Sequence, residues 1–348
     1  MNGKRRCLAT LAGEEPDRVP VFPLLMGFSA KLAGRSYAEF ASDGHVMADS
    51  QMLAHETFDI DAITACSDAF RIVGDLGGEL VFPEDKAPYS TRPLIGQAAD
   101  LDRLKRPDVA KRGGRMADRV LATRLMAQGV GDECLVLGWV DMPFAEACSA
   151  CGVSEFMLLM MDEPLLAHRI LAFLSDIVAE FAVAQIEAGA PMIGAGDAAA
   201  SLISPEMYRE FALPYQQRVI DAVHAAGGTV KLHMCGNTIK LLDDMITSGA
   251  DLFNVDNLVD LSLARNAYAS AGKAFKGNVD PVWGMLFATP EECQARAIDC
   301  MSASAGTKYF LGLGCEVPRD VPHETFRAFC AAPEAYRSQP RPATADSP

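Results

Sequence analysis

The chain has 348 residues, half of them hydrophobic, and a formal net charge of −15. That composition allows a sizeable core and excludes global disorder. The acidic balance opposes general attraction to nucleic acid or to an anionic membrane surface, although it leaves room for a local basic patch.

The first residues, Met1-Asn2-Gly3-Lys4-Arg5-Arg6, are basic, but no long apolar run follows them. No secretion signal is read there, and a cytoplasmic location is expected. No stretch approaches the roughly 18 uninterrupted apolar residues of a membrane-spanning helix. The ten scattered cysteines therefore read as thiols or metal ligands, not as a disulfide frame.

In chain order, the predicted strands are Pro20–Leu25, Ala62–Cys66, Cys134–Val140, Pro191–Ala195, Thr229–His233, Asp251–Val255, Ala274–Gly277 and Lys308–Leu313. Several are apolar on both faces, as a parallel sheet covered by helices requires. Amphipathic segments such as Glu163–Ala188 and Pro205–Ala226 lie between them, the second announced by Ser204 with Pro205 behind it. This alternation predicts an α/β fold, a single-domain (β/α)8 TIM barrel over 1–337, followed by a flexible tail over 338–348. Region 68–130, with Gly77-Gly78 and four prolines, reads as loops and short helices crossing the barrel face.

In such a barrel the chemistry sits at the C-terminal strand ends. Polar groups appear there five times in succession: Asp197, then His233-Met234-Cys235-Gly236, then Asp256-Asn257, then Asn278-Val279-Asp280, then Cys315-Glu316. His233 and Cys235 are two apart and share one face of a strand. Cys315 arrives from the last predicted strand. One imidazole and two thiolates are good zinc ligands and leave a tetrahedral ion one open position, the pattern of a catalytic site. Asp197, behind Gly194-Ala195-Gly196, is a candidate for orienting a ligand or taking a proton, with Asp256 and Asp280 as further catalytic candidates. Gly236 and Asn278 are candidate cofactor-binding positions. Cys148 and Cys151 form a Cys-x-x-Cys, but on a predicted helix over Phe144–Phe156 they share a face and read as packing. The Met157–Met161 cluster reads as core filling.

Four stretches carry a resemblance. They are Ser204-Pro205-Glu206-Met207-Tyr208, His233-Met234-Cys235-Gly236-Asn237-Thr238, Gly277-Asn278-Val279-Asp280-Pro281, and Gly312-Leu313-Gly314-Cys315-Glu316-Val317-Pro318. The chain resembles the uroporphyrinogen decarboxylase superfamily, and within it the zinc-dependent methylcobamide:coenzyme M methyltransferases. The resemblance implies a TIM barrel, and zinc on His233, Cys235 and Cys315. It also implies methyl transfer from a methylated corrinoid to a zinc-activated thiol. No corrinoid-binding domain is evident, so the donor would come on a small corrinoid protein docking over the barrel mouth. A decarboxylase of uroporphyrinogen must instead match eight carboxylates with a cluster of arginines near the N-terminus. Pro23–Phe40 offers only Lys31 and Arg35. Decarboxylation of uroporphyrinogen or a related acid is the alternative enzyme, and a metal- or corrinoid-binding partner without turnover is the alternative from another class.

Overall fold

The computed structural model describes residues 1–110 and 113–338. Seven strands form one parallel sheet: β1 Ala62–Thr64, β2 Leu135–Asp141, β3 Met192–Gly196, β4 Thr229–His233, β5 Leu252–Asn254, β6 Ala274–Val279 and β7 Tyr309–Leu313. They lie side by side in chain order. Every neighbour pair is parallel. Helices cross between strands, among them Pro164–Glu187, Leu213–Ala225, Leu261–Ser270 and Pro290–Ala303.

Seven of the eight expected strands are present; Pro20–Leu25 is not one. Only a single parallel bridge forms, between Val21 and Leu311. Pro20 and Pro23 have no N–H to give a ladder. Leu311 N–H donates to Pro20 and receives Phe22 N–H on its own carbonyl, while Asp61 N–H donates to Val21. The Val21 N–H itself goes to the Asp61 carboxylate at 2.7 Å. That carboxylate also takes Arg6 at 2.5 Å and Arg18 at 2.7 Å, so two buried cations compensate it. The segment thus lies between β7 and the approach to β1, held by a side chain where a strand would use backbone.

Alternation along the strands defines two faces. A large cluster fills the space between sheet and helices, with Ile193, Ala195, Val230, Leu232, Phe253 and Phe275 among its members. A smaller one lies inside the curl and includes Phe22, Leu135, Leu137, Met192, Leu252, Ala274 and Phe310. The helix expected after Ser204 begins at Pro205, and the Ser204 hydroxyl accepts the Met207 N–H. The expected helix over Phe144–Phe156 is two helices, Pro143–Cys151 and Val153–Asp162, because Gly152 takes φ +90° between them. Cys148 and Cys151 are buried free thiols, in keeping with packing.

Region 68–130 is more regular than expected. It holds a 16-residue helix, Arg115–Val130. Its first two N–H groups are taken by the Asp75 carboxylate at 2.7 and 2.9 Å. Among the described residues, no single helix is long and apolar enough to cross a membrane. Ser338 closes the last helix, His323–Arg337; the rest of the expected tail lies outside the described residues.

Candidate metal centre

β4 delivers His233 at its last position, and Cys235 follows two residues later. Cys315 arrives two residues after β7 ends. The His233 Nε2 atom lies 3.0 Å from Cys235 Sγ and 3.6 Å from Cys315 Sγ, and the two sulfurs are 3.4 Å apart. Ligand atoms on a tetrahedral zinc with ordinary Zn–N and Zn–S bonds stand about 3.5–3.8 Å apart. The donor set is therefore drawn together almost at coordination spacing. It is a group of three potential metal ligands whose donor atoms all fall within 4.8 Å of one another.

The two sulfurs are in hydrogen-bond contact. Cys315 is held far below the usual thiol range by hydrogen bonds from Cys235 and His233, whereas Cys235 is pushed up by the same contact and by burial. Binding of a divalent ion requires both thiols deprotonated. Beside them Glu316 is pushed up to about 7 by burial and by Cys315, and one of its oxygens has no hydrogen-bond partner.

The loop that holds Cys235 is braced from β5. Gly236 takes φ +92°, a left-handed conformation suited to glycine. Its N–H donates to Asp256 at 2.9 Å, and the other Asp256 oxygen accepts the Leu258 N–H at 2.8 Å. Asn278 donates to the Asp256 and Val259 carbonyls at 3.1 and 2.7 Å. Asp256 and Asn278 therefore brace the turn at Gly236 behind Cys235. Asp280 accepts the Val282 and Trp283 N–H groups at 2.7 and 2.9 Å and so caps the turn after β6.

Asp197 differs from expectation. It is fully buried, but its carboxylate accepts the Ala145 N–H at 3.0 Å and the Gln216 amide at 2.6 Å. Gln216 in turn accepts the Tyr208 hydroxyl at 2.6 Å. Among the described residues it is the Asp197 backbone that meets β4, through its N–H to the His233 carbonyl. The imidazole Nδ1 of His233 has no hydrogen-bond partner among the described residues, so Asp197 does not orient it. Burial pushes the Asp197 carboxyl up to about 7.

Several polar groups went unread in the sequence. Lys231 on β4 and Lys276 on β6 are fully buried, and neither Nζ has a hydrogen-bond partner among the described residues. Arg71 pairs with Asp141 at the end of β2 while Glu146, also buried, has no partner for either oxygen. Burial pushes Asp141 up to about 6 and Glu146 well above the usual carboxylate range. The available signal for the lysines is their position: each interrupts an otherwise apolar strand, in Val230-Lys231-Leu232 and in Phe275-Lys276-Gly277.

A family model described as uroporphyrinogen decarboxylase (URO-D) matches residues 2–336. The chain belongs to this family. Its members are enzymes. Curated relatives agree: uroporphyrinogen decarboxylase of Trichormus variabilis is 30% identical over 338 residues, covering 92% of this chain and 94% of that protein. The corresponding protein of a Synechococcus strain is 28% identical, with 93% and 94% covered. Among solved structures, a methyltransferase from Methanosarcina mazei superposes with a TM-score of 0.88 at 23% identity, covering 97% of this chain and all of that one. A B12-independent methionine synthase from Shewanella, crystallised with selenomethionine, gives 0.59 at 13% identity, with 84% and 88% covered. At these identities the two structures speak for the fold. The family is built on the TIM barrel, of which this chain displays seven strands and the bridging segment at Val21.

Proposed function

We propose that this chain is a zinc-dependent methyltransferase, moving a methyl group from a methylated corrinoid to a thiol such as coenzyme M. The observation that supports it is the convergence of His233, Cys235 and Cys315 within 4.8 Å. Two thiols and an imidazole suit zinc and leave a fourth position open. A zinc ion held there would lower the pKa of an incoming thiol while leaving its sulfur nucleophilic.

The chain's own residues do the rest. Asp256 and Asn278 fix the turn that presents Cys235. Zinc held by His233, Cys235 and Cys315 would supply the acidity by which a substrate thiol loses its proton to solvent, and the methylated corrinoid would supply the methyl group and keep the electron pair of the broken carbon–cobalt bond. In this reading the corrinoid comes on a partner protein that docks over the mouth formed by the strand ends. The ten free thiols fit a reducing, cytoplasmic setting.

The names of the curated relatives favour a second reading, decarboxylation of uroporphyrinogen. Against it stands the cationic supply near the N-terminus. Lys31 is exposed and paired with Asp320, and Arg35 is exposed and paired with Glu39. Two exposed cations, each already beside a carboxylate, do not match a macrocycle with eight carboxylates.

One experiment separates the readings. Purified protein is assayed for bound metal and for loss of methylcobalamin absorbance against a panel of thiols and folates. One zinc per chain with thiol-dependent demethylation supports methyl transfer. Metal-free protein that converts uroporphyrinogen overturns it, and metal uptake without any turnover points to a binding partner.

A further inference from the structure

Asp141 is an acidic side chain set level with the candidate ligand His233. In register, Asp141 of β2 pairs with Gly196 of β3, and Gly196 pairs with His233 of β4. Parallel neighbours in register point their side chains to one side of the sheet. Asp141 and His233 therefore look into the same curl with a glycine between them. Their Cα atoms are two strand spacings apart, about 10 Å. The carboxylate uses the space that the glycine leaves: a Cβ at Gly196 would stand 2.9 Å from Asp141 Oδ1 and 2.9 Å from the Trp139 ring. Asp141 thus leans over β3 toward His233.

Behind Asp141 the charges do not balance. Arg71, wholly buried at the start of the helix Arg71–Asp75, pairs with Asp141. Asp68, three residues before Arg71, is taken by Arg115 through two bonds, at 2.9 and 2.8 Å. Glu146 lies on the helix Pro143–Cys151, which follows Asp141 and packs against Arg71–Asp75. It is wholly buried, and neither of its oxygens has a hydrogen-bond partner among the described residues. Three carboxyls thus meet two guanidinium groups. The accessible member of the Arg71–Asp141 pair is the acid: its side chain is 11% exposed, that of Arg71 0%. Lys231 and Lys276 are wholly buried and turn to the ring of Phe22, at 5.2 and 5.1 Å, so neither offers its charge to the mouth.

We propose that Asp141 receives a protonated amine carried by the thiol that takes the open position beside His233, Cys235 and Cys315, so that the acceptor is an amino thiol. The inference rests on the methyltransferase reading and narrows its acceptor: a thiol ending in ammonium is preferred to one ending in sulfonate, coenzyme M included. An ammonium donates to the carboxylate through a charge-assisted bond and brings the positive charge that this acid-rich cluster lacks. A sulfonate meets the same carboxylate as a like charge, and in a half-enclosed site that repulsion is weakly screened. Arg71, enclosed behind the carboxylate, holds it in place.

The test uses the full chain loaded with cobalt(II), whose absorption reports a bound thiolate. Three thiols that differ only at the far end are titrated in: 2-mercaptoethylamine, 2-mercaptoethanol and 2-mercaptoethanesulfonate, each also with a stem one carbon longer. Affinities are referred to the thiolate, which removes the thiols' different acidities. The parent should bind the amine about tenfold more tightly than the alcohol, and the sulfonate least. In Asp141→Asn the amine should fall to the level of the alcohol, with the alcohol unchanged. That variant strands a buried guanidinium, so Arg71→Met combined with Asp141→Asn, which removes the pair together, is measured beside it. The parent's ranking is a test whether or not the variants fold. Equal binding of the three by the parent, tightest binding of the sulfonate, or an amine preference that survives in both variants overturns the inference. A parent that takes up no cobalt overturns the metal-centre reading and the inference with it. Amine-selective binding without methyl transfer from methylcobalamin to any thiol would sink the methyltransferase reading and leave the amine site standing.

Discussion

Asp256 Oδ2 accepts the Gly236 N–H at 2.9 Å, and this bond fixes the loop residue immediately behind the candidate ligand Cys235. Asp256→Ala should release the turn and cost about ten- to a hundredfold in zinc affinity, as losses of such outer partners commonly do. Chelator competition measures it. Gly236→Ala probes the same turn from the backbone: a Cβ would sit 3.1 Å from Ser201 Oγ at φ +92°. It should weaken zinc in the same direction, and unchanged affinity in both variants would show that the loop needs no brace.

Cys315→Ala should abolish stoichiometric zinc and reduce thiol-dependent demethylation by about a hundredfold or more. Its sulfur stands 3.4 Å from Cys235 and 3.6 Å from His233, within the donor set. Metal analysis of the purified variant is the check. Full zinc and full rate would remove Cys315 from the centre.

Asp197 gives a stability prediction with a definite sign. Its carboxyl is pushed up to about 7 in the fold, against an ordinary value of 3.8. Between those values the folded chain holds a proton that the unfolded chain has lost, so this group's contribution falls as pH rises from about 4 to 7. Asp197→Asn removes that slope. Melting curves at several pH values should show the parent losing more stability than the variant across this window. The variant should keep its zinc, because the Asp197 carboxylate bonds Ala145 and Gln216 and not the metal ligands. A parallel pH dependence in the two proteins would contradict the assignment.

Uroporphyrinogen should not be converted to coproporphyrinogen at a measurable rate. Eight carboxylates entering a chain of net charge −15 need matched cations, and unmatched they meet desolvation and repulsion. Chromatography of the oxidised products decides the point; robust coproporphyrin formation would reverse the functional reading.

The convergence of the three candidate ligands was legible because its signal is local. His233 and Cys235 share a strand face by period two, and the regular order of strands placed Cys315 among the same strand ends. Pro20–Leu25 was read as a strand from its apolar pattern, yet its two prolines lack the donors a ladder needs. Asp197 looked catalytic because it follows an apolar strand; its partner Gln216 comes from the helix Leu213–Ala225, a contact that local pattern does not encode. The helix Arg115–Val130 was read as irregular because its cap, Asp75, is supplied from 40 residues away. Lys231 and Lys276 show the same limit: a lysine in a strand looks like a surface residue until neighbouring strands enclose it.

The bridge at Val21 has a consequence for how the molecule is made. Leu311 is synthesised long after Phe22, so the seam between them cannot close until every strand before the last has been made. Until then the segment at Val21 and the most recently made strand each present an unpaired edge, and an exposed strand edge invites pairing with other chains. The amides of Phe22 and Leu311 should be the last to gain protection in pulse-labelled hydrogen exchange during refolding. Yield should depend more on chaperone supply while the chain is being completed than on the stability of the finished fold.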